Sequence, residues 1–230
     1  MMNTLFLFLW LSWSLQPTNN ISFHLESRTL SNQQVIVIKA DIYFKYDEGK
    51  MITHFTYPTE LISITNSKGE ASFYDPKTNT VVFKRGNFFT TSNDNIYLFL
   101  RERYSDLGLK EMGYKMVSQK KDKGYIVTEW LPEHASTKNN AEKIILAHQD
   151  DLPAYMALYA NGRCERKIYY SGYSMYGSYF LPARIVEITY TKSDSVILKK
   201  DYSNYRIGVY ANSPYFEFSI PSNAKTIAQP

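Results

Sequence analysis

Apolar and polar residues alternate with a period of two over most of the chain after residue 20. Between residues 36 and 44 the even positions are all apolar, whereas the odd positions include Lys39 and Asp41. Successive side chains of a β-strand point to opposite faces, so this alternation is typical of a strand with one buried face. The pattern therefore predicts a mainly β protein.

Further short strand candidates are separated by turn signals such as Asn161-Gly162, which suits a two-residue hairpin turn. Many short strands at spacings of roughly 8–12 residues predict a meander that curves into a barrel or a sandwich. The predicted strands are residues 36–44, 51–57, 61–65, 70–74, 80–85, 125–131, 143–148, 155–159, 163–171, 179–189, 196–205 and 215–221.

The apolar period becomes helical between residues 95 and 107, which predicts an amphipathic helix with one apolar face. Asn93 or Asp94 is suited to cap its start, and Gly108 is suited to end it. A second, weaker helical turn is predicted over residues 110–116. The apolar face consists of Ile96, Phe99, Leu100 and Leu107.

The N-terminus carries an almost wholly apolar stretch over residues 5–15, followed at once by polar residues 16–20. The stretch is shorter than the about 20 residues that span a bilayer. We expect a secretory signal peptide over approximately residues 1–16 and one domain over residues 17–230. The residues before the apolar stretch lack the Lys or Arg that usually begins a signal peptide. The alternative is a buried N-terminal segment. A bacterial lipoprotein needs a cysteine at the end of its signal peptide, and no cysteine is found there. We therefore expect a soluble mature protein that has no lipid anchor.

Composition and charge narrow the functional classes. The chain is 44% hydrophobic and 16% aromatic, which argues against global disorder. Its formal net charge is +4, and no basic stripe carries interleaved aromatic residues, so nucleic acid is not an expected partner. Cys164 is the single cysteine, which excludes an internal disulfide and argues against a structural zinc site.

Motifs for catalysis are not found. The chain has no Gly-rich phosphate loop, zinc-protease motif or nucleophile elbow. His148 precedes Gln149, Asp150 and Asp151, a set that could ligate a metal, but we interpret it as a strand that runs into a polar turn. We therefore expect no enzyme, no metal and no cofactor, with an exported enzyme left as an alternative.

Several short motifs occur in an order that resembles a known family. They are Asp-Ile-Tyr-Phe-Lys at residues 41–45, Phe-Thr-Tyr-Pro at 55–58, Phe-Tyr-Asp-Pro at 73–76, Leu-Pro-Ala-Arg-Ile at 181–185 and Phe-Glu-Phe-Ser-Ile-Pro at 216–221. Over residues 21–224 their order and spacing resemble those of the LolA-like family of periplasmic lipoprotein carriers.

This resemblance implies an open, incomplete antiparallel β-barrel of about eleven strands, with one or two helices covering its concave face. It also implies a monomeric periplasmic carrier whose apolar cavity holds the acyl chains of a lipoprotein or another lipid. Its partners would be an inner-membrane releasing transporter and an outer-membrane acceptor. Two departures concern the lid: the helix that usually precedes the first strand is short or absent, and Tyr46 stands where some members have a latching arginine.

The apolar residues of the inward period are the candidates to line this cavity, and each could instead simply fill a core. A one-residue slip would reverse the two faces of a strand, so the sequence leaves the inward face open. A binding or regulatory module on the same fold, without a transport role, is the alternative function. The candidate lining residues are Ile42, Phe44, Met51, Phe55, Ile64, Phe73, Ile96, Phe99, Leu100, Trp130 and Met156.

Overall fold

The computed structural model describes residues 20–86, 89–91, 94–134, 141–191 and 194–227. The predicted signal peptide and Asn93 lie outside these ranges. No helix within them has both the length and the apolar character needed to cross a membrane.

The described residues are mainly β and form a large sheet that is not closed. Fourteen strands make one sheet, and β12 and β13 form a separate hairpin, so the predicted number of about eleven strands was too low. The strands are β1 Asn20–Ser31, β2 Gln34–Lys45, β3 Lys50–Tyr57, β4 Leu61–Thr65, β5 Glu70–Asp75, β6 Thr80–Arg85, β7 Tyr114–Asp122, β8 Tyr125–Pro132, β9 Lys143–Gln149, β10 Leu152–Ala160, β11 Arg163–Ser171, β12 Ser174–Tyr176, β13 Tyr179–Leu181, β14 Arg184–Tyr190, β15 Ser195–Ile207 and β16 Lys225–Thr226.

The order of strands in the sheet is β16-β6-β5-β4-β3-β2-β1-β15-β14-β11-β10-β9-β8-β7. β1 lies near the middle and pairs in antiparallel register with both β2 and β15. The first half of the chain therefore forms one side of the sheet as a meander, and the second half returns to close against β1. The Asn161-Gly162 turn is confirmed, since both residues have positive φ (52° and 69°) between β10 and β11.

One face of the sheet, here called the inner face, carries the main apolar cluster. Ile21, Phe23 and Leu25 of β1 are buried at alternate positions, and Phe23 lies opposite Ile42 in β2. Residues that are paired across antiparallel strands share a face, so the register assigns the inner residues of the neighbouring strands in turn. The opposite side is called the outer face.

Helix α1, Asn95–Leu100, packs its buried residues Ile96, Phe99 and Leu100 into this cluster. The predicted cap is confirmed at Asp94, whose Oδ1 accepts a hydrogen bond from the Ile96 amide at 3.3 Å. A Pro-free apolar face and this cap explain why the helix begins here.

The helix is shorter than the sequence predicted. It ends at Leu100, and residues 101–113 form a series of turns, with positive φ at Glu102 (56°) and Leu107 (47°). The second helical turn over residues 110–116 was also wrong, because β7 begins at Tyr114. Leu107 and Leu109 are nonetheless fully buried. The apolar spacing of this segment therefore reflects side chains that are buried from turns and not from a helix. Residues 94–114 are called the roof segment below.

The C-terminal segment lies on the outer face of the first half of the sheet. The strand predicted over residues 215–221 was wrong: Pro214–Glu217 is a 3-10 helix. Its Tyr215 stacks between Tyr43 and His54, with ring centroids 5.0 and 4.7 Å away. β16 then adds to β6 in parallel register. The predicted strand 179–189 is likewise interrupted at Pro182, which separates β13 from β14.

Candidate functional site

Most of the predicted lining residues lie together in the interior, between the inner face and the roof segment. Eight of the eleven belong to one cluster and are 0% to 7% exposed. They come from both halves of the chain, since β8 and β10 contribute as well as β2 and β3. These eight are Ile42, Phe44, Met51, Ile96, Phe99, Leu100, Trp130 and Met156.

The other three candidates lie elsewhere. Phe55 and Phe73 share the inner face, because their strands are joined in register through Thr53 and Ser63, but both are only half-buried beyond the main cluster. Ile64 is on the outer face, opposite Ile52, and packs against a second apolar cluster under the C-terminal segment.

The interior is packed by its own side chains. Phe44, Phe99, Leu100, Leu107 and Leu109 are all 0% exposed. A space large enough for water beside a side chain would give it accessible surface, so no such space lies against these five. The expected hollow between sheet and helix is therefore absent around these five side chains, because α1 and the turns of the roof segment fill it.

Polar contacts join the start of the roof segment to the sheet. Asp94 accepts a hydrogen bond from Lys200 of β15 at 2.9 Å, and Asn95 Nδ2 donates to Glu187 of β14 at 3.2 Å. Arg166 of β11 contacts the other oxygen of Glu187 at 3.3 Å. β15 and β14 thus hold the beginning of α1, and Arg166 of β11 holds Glu187.

A separate contact holds the far end of α1 to the first half of the sheet. Arg101 Nη1 donates to the carbonyl oxygen of Tyr46 at 3.0 Å, and its guanidinium lies 4.4 Å from the centroid of the Tyr46 ring. The ring of Tyr97 is 5.8 Å away. Position 46 lacks the arginine that some LolA-like proteins have there. Here the arginine is Arg101 of the roof segment, and it contacts Tyr46 from the other side of the interface.

Two tyrosine hydroxyls inside the cluster have no hydrogen-bond partner among the described residues, namely those of Tyr170 and Tyr202. Burial, with a smaller contribution from Glu187, raises the pKa of Tyr170 far above its usual range. Burial and the nearby Asp94 do the same to the pKa of Tyr202. Both phenols therefore stay neutral and can donate. A buried donor without an acceptor costs free energy. Each of these two hydroxyls could therefore donate a hydrogen bond to an acceptor on a bound molecule.

A shallow apolar hollow of about 290 Å³ lies beyond the main cluster, where β3 ends and β4 begins. Phe55 contributes to it, and the cis peptide between Tyr57 and Pro58 lies at its rim. The remaining lining residues are Ile38, Thr59, Glu60, Leu61 and Asp75. It offers an apolar surface that is open to solvent while the roof segment is in place.

In the part of the chain that the structure describes, no three His, Cys, Asp or Glu side chains are grouped so as to hold a metal ion. His148 instead contacts the carbonyl oxygen of Tyr104 at 2.8 Å, which ties β9 to the roof segment.

Comparison with known proteins gives a likeness in structure alone. No family model matches the chain, and no curated protein matches its sequence. A DUF1329 family protein from Desulfovibrio piger superposes with a TM-score of 0.60 at 14% identity, over 86% of this chain and 90% of that one. A LolA superfamily protein from Nitrosomonas europaea gives 0.54 at 13% identity, over 84% and 87%. The fold is LolA-like.

A third LolA-like structure comes from Vibrio parahaemolyticus and is described as a candidate outer membrane lipoprotein-sorting protein domain. It superposes with a TM-score of 0.58 at 14% identity and covers 86% of this chain and 90% of that one. These TM-scores establish the LolA-like fold. Because the identities are only 13–14%, the ligand has to be argued from the residues of this chain.

Proposed function

We propose that the protein is a soluble periplasmic carrier that binds the acyl chains of a lipoprotein or another lipid and moves them between membranes. The observation that carries this proposal is the apolar interior beneath a roof segment whose α1 is tied to the sheet by polar contacts at both ends. The LolA-like fold supports it, and the expected signal peptide agrees with export.

Cargo would enter by displacing the roof segment. Each buried CH₂ contributes roughly 0.8 kcal/mol, so an acyl chain faces a barrier of order ten kcal/mol to leave a bilayer unaided. In the interior, the acyl chain would replace the contacts that Phe99, Leu107 and Leu109 make with the inner face. The exchange is apolar for apolar, so the roof segment's loss of contact is offset by the cargo.

The polar contacts of the roof segment suit such an exchange. Both side chains of the Asp94–Lys200 pair are partly exposed, so water can hydrate the two charges when the pair opens. The unpartnered hydroxyls of Tyr170 and Tyr202 would then find acceptors in the ester carbonyls of the cargo. Non-directional apolar contact together with these two donors would hold an acylated molecule and still release it.

A reversible clamp on the roof segment tests the proposal. In a Cys164→Ser background, Asn95→Cys and Glu187→Cys place one thiol on α1 and one on β14, which a short reducible thiol cross-linker can join. We expect a fluorescent acyl probe to bind the reduced protein, to be excluded after cross-linking, and to bind again after reduction. Each single-cysteine variant, treated in the same way, is the matched control.

Transport is tested separately from binding. Protein loaded with a fluorescent acylated peptide is mixed with acceptor vesicles of bacterial phospholipid, and transfer is followed with and without the clamp. A clamped protein that binds the probe as well as the reduced one would overturn the interior site. Binding without any transfer would leave a lipid-binding module and overturn the carrier.

A further inference from the structure

The two edges of the large sheet are treated differently by the chain. β6 would form one edge, but the C-terminal β16 pairs with it. At the other edge, β7 pairs with β8 on one side, and among the described residues no strand pairs with its other side. An open edge of nine residues is long for a protein that remains unassociated.

The hairpin geometry shows which backbone groups face outward. Lys123 and Gly124 have φ of 48° and 88°, which is a two-residue type I′ turn, so Asp122 and Tyr125 form the closing hydrogen-bonded pair. Hydrogen-bonded and non-hydrogen-bonded pairs alternate along an antiparallel ladder. The amide and carbonyl groups of Lys121 and Gln119 therefore point away from β8, towards the open edge.

The side chains at this edge have a distinctive character. Met116 and Val117 are 48% and 45% exposed, where a core strand would bury them. Four lysines and one aspartate lie between residues 114 and 123, and none of these lysines takes part in an ion pair within the described ranges. The lysines are Lys115, Lys120, Lys121 and Lys123.

We propose that the open edge of β7 binds an extended acidic segment of a partner protein, which adds to the sheet as a further strand. The outward groups of Gln119 and Lys121 would pair with its backbone, and its carboxylates would face the lysines. Its apolar side chains would cover Met116 and Val117. This site depends on the edge strand alone and does not rest on lipid binding.

Charge decides between an acidic segment and a second copy of the chain. Two β7 strands that paired edge to edge would bring their lysines together, and like charges on neighbouring strands are destabilising. Lysine on an edge strand also discourages self-association. A segment with carboxylates at alternate positions meets neither obstacle.

The test uses a fluorescein-labelled peptide of alternating glutamate and valine or threonine, measured by fluorescence anisotropy against the full chain. Gln119→Pro removes one outward amide, which an edge strand tolerates, and we expect it to weaken binding at least tenfold. Gln119→Ala keeps that amide and is the matched control, expected to bind as the unaltered protein does. A peptide with lysine in place of glutamate should not bind.

Amide hydrogen exchange provides a second measurement that does not depend on a variant. With the acidic peptide bound, the amides of Gln119 and Lys121 should become protected, whereas Lys120 and Asp122 are already protected by β8. Equal binding by Gln119→Pro, equal binding of the lysine peptide, or protection elsewhere would each overturn the proposal. A dimer that Gln119→Pro abolishes would also overturn it in favour of a second copy.

Discussion

Arg101 lies over the ring of Tyr46, 4.4 Å from its centroid, and donates a hydrogen bond to the carbonyl oxygen of the same residue. This contact joins the end of α1 to the turn between β2 and β3. The arginine belongs to the roof segment, and the aromatic ring belongs to the turn that follows β2. A contact made by one side chain can be removed without altering the interior.

Removing this contact should speed the entry of cargo. A cation–π contact and a hydrogen bond to a charged group together contribute about 2 kcal/mol. We expect Arg101→Ala to raise the rate of fluorescent acyl probe uptake at least fivefold in stopped-flow measurements, because the roof segment opens more often.

The matched control for this prediction is Arg103→Ala. Arg103 pairs with Glu111, and both belong to the roof segment, so the pair does not join it to the sheet. Its loss should leave the uptake rate unchanged. Equal rates for Arg101→Ala and the unaltered protein would show that Arg101 does not restrain the roof segment.

The two unpartnered hydroxyls give a prediction of unusual sign. Most truncations in a core are destabilising, but Tyr170→Phe and Tyr202→Phe remove a buried donor that lacks an acceptor. We expect each change to leave the free energy of unfolding unchanged or to raise it by about 1 kcal/mol, measured by urea unfolding without ligand.

The same variants distinguish a ligand role from a packing role. If these hydroxyls donate to ester carbonyls, the double variant should bind an acylated ester probe more weakly and a plain hydrocarbon probe equally well. A clear loss of stability in either single variant would mean that the hydroxyl already has a partner, and the donor argument would fail.

Short-range signals were sufficient for most of the fold. Strands β4, β6 and β11 coincide with the predicted ranges, because alternation and turn residues both operate within a few positions. β1 was not predicted although Ile21, Phe23 and Leu25 occupy alternate positions. It directly follows the apolar stretch and polar residues that were interpreted as a signal peptide and its boundary. β7 was missed because almost all its side chains are exposed and show no period.

The candidate site was harder to predict because it depends on register and on turns. Ile64 alternates as regularly as Ile42, and only the pairing of β4 with β3 shows that it faces outward. Leu109 belongs to no regular element, and no periodic pattern identifies it as a filler of the interior. Tyr170 and Tyr202 read as ordinary strand aromatics until the cross-strand contacts are known.

The C-terminal segment should depend on one aromatic ring. Tyr215 stacks on both Tyr43 and His54, and stacked aromatic pairs contribute about 0.5–1.5 kcal/mol each beyond burial. We expect Tyr215→Ala to lower the free energy of unfolding by about 2 kcal/mol and to make residues 208–227 more sensitive to limited proteolysis. Tyr210→Ala is the control, because Tyr210 is 78% exposed. Equal sensitivity in the two variants would contradict this role for Tyr215.

Stability should fall in alkaline solution, and the direction follows from the buried tyrosines. Burial raises the pKa of Tyr155 to about 12, and burial raises the pKa of Tyr170 and Tyr202 further still. In the unfolded chain a tyrosine loses its proton near pH 10, so above that pH the unfolded state binds fewer protons than the folded state.

The contribution of the neutral buried tyrosines to stability is therefore fully present below about pH 10, and it is lost as the pH rises towards their pKa values in the folded state. Each fully buried tyrosine should lower the free energy of unfolding by about 1.4 kcal/mol per pH unit in that range, measured by urea unfolding between pH 8 and 11. The Tyr170→Phe, Tyr202→Phe double variant has two fewer such groups, so its stability should fall less steeply. An equally steep fall in the double variant would show that these two phenols are not kept neutral by burial.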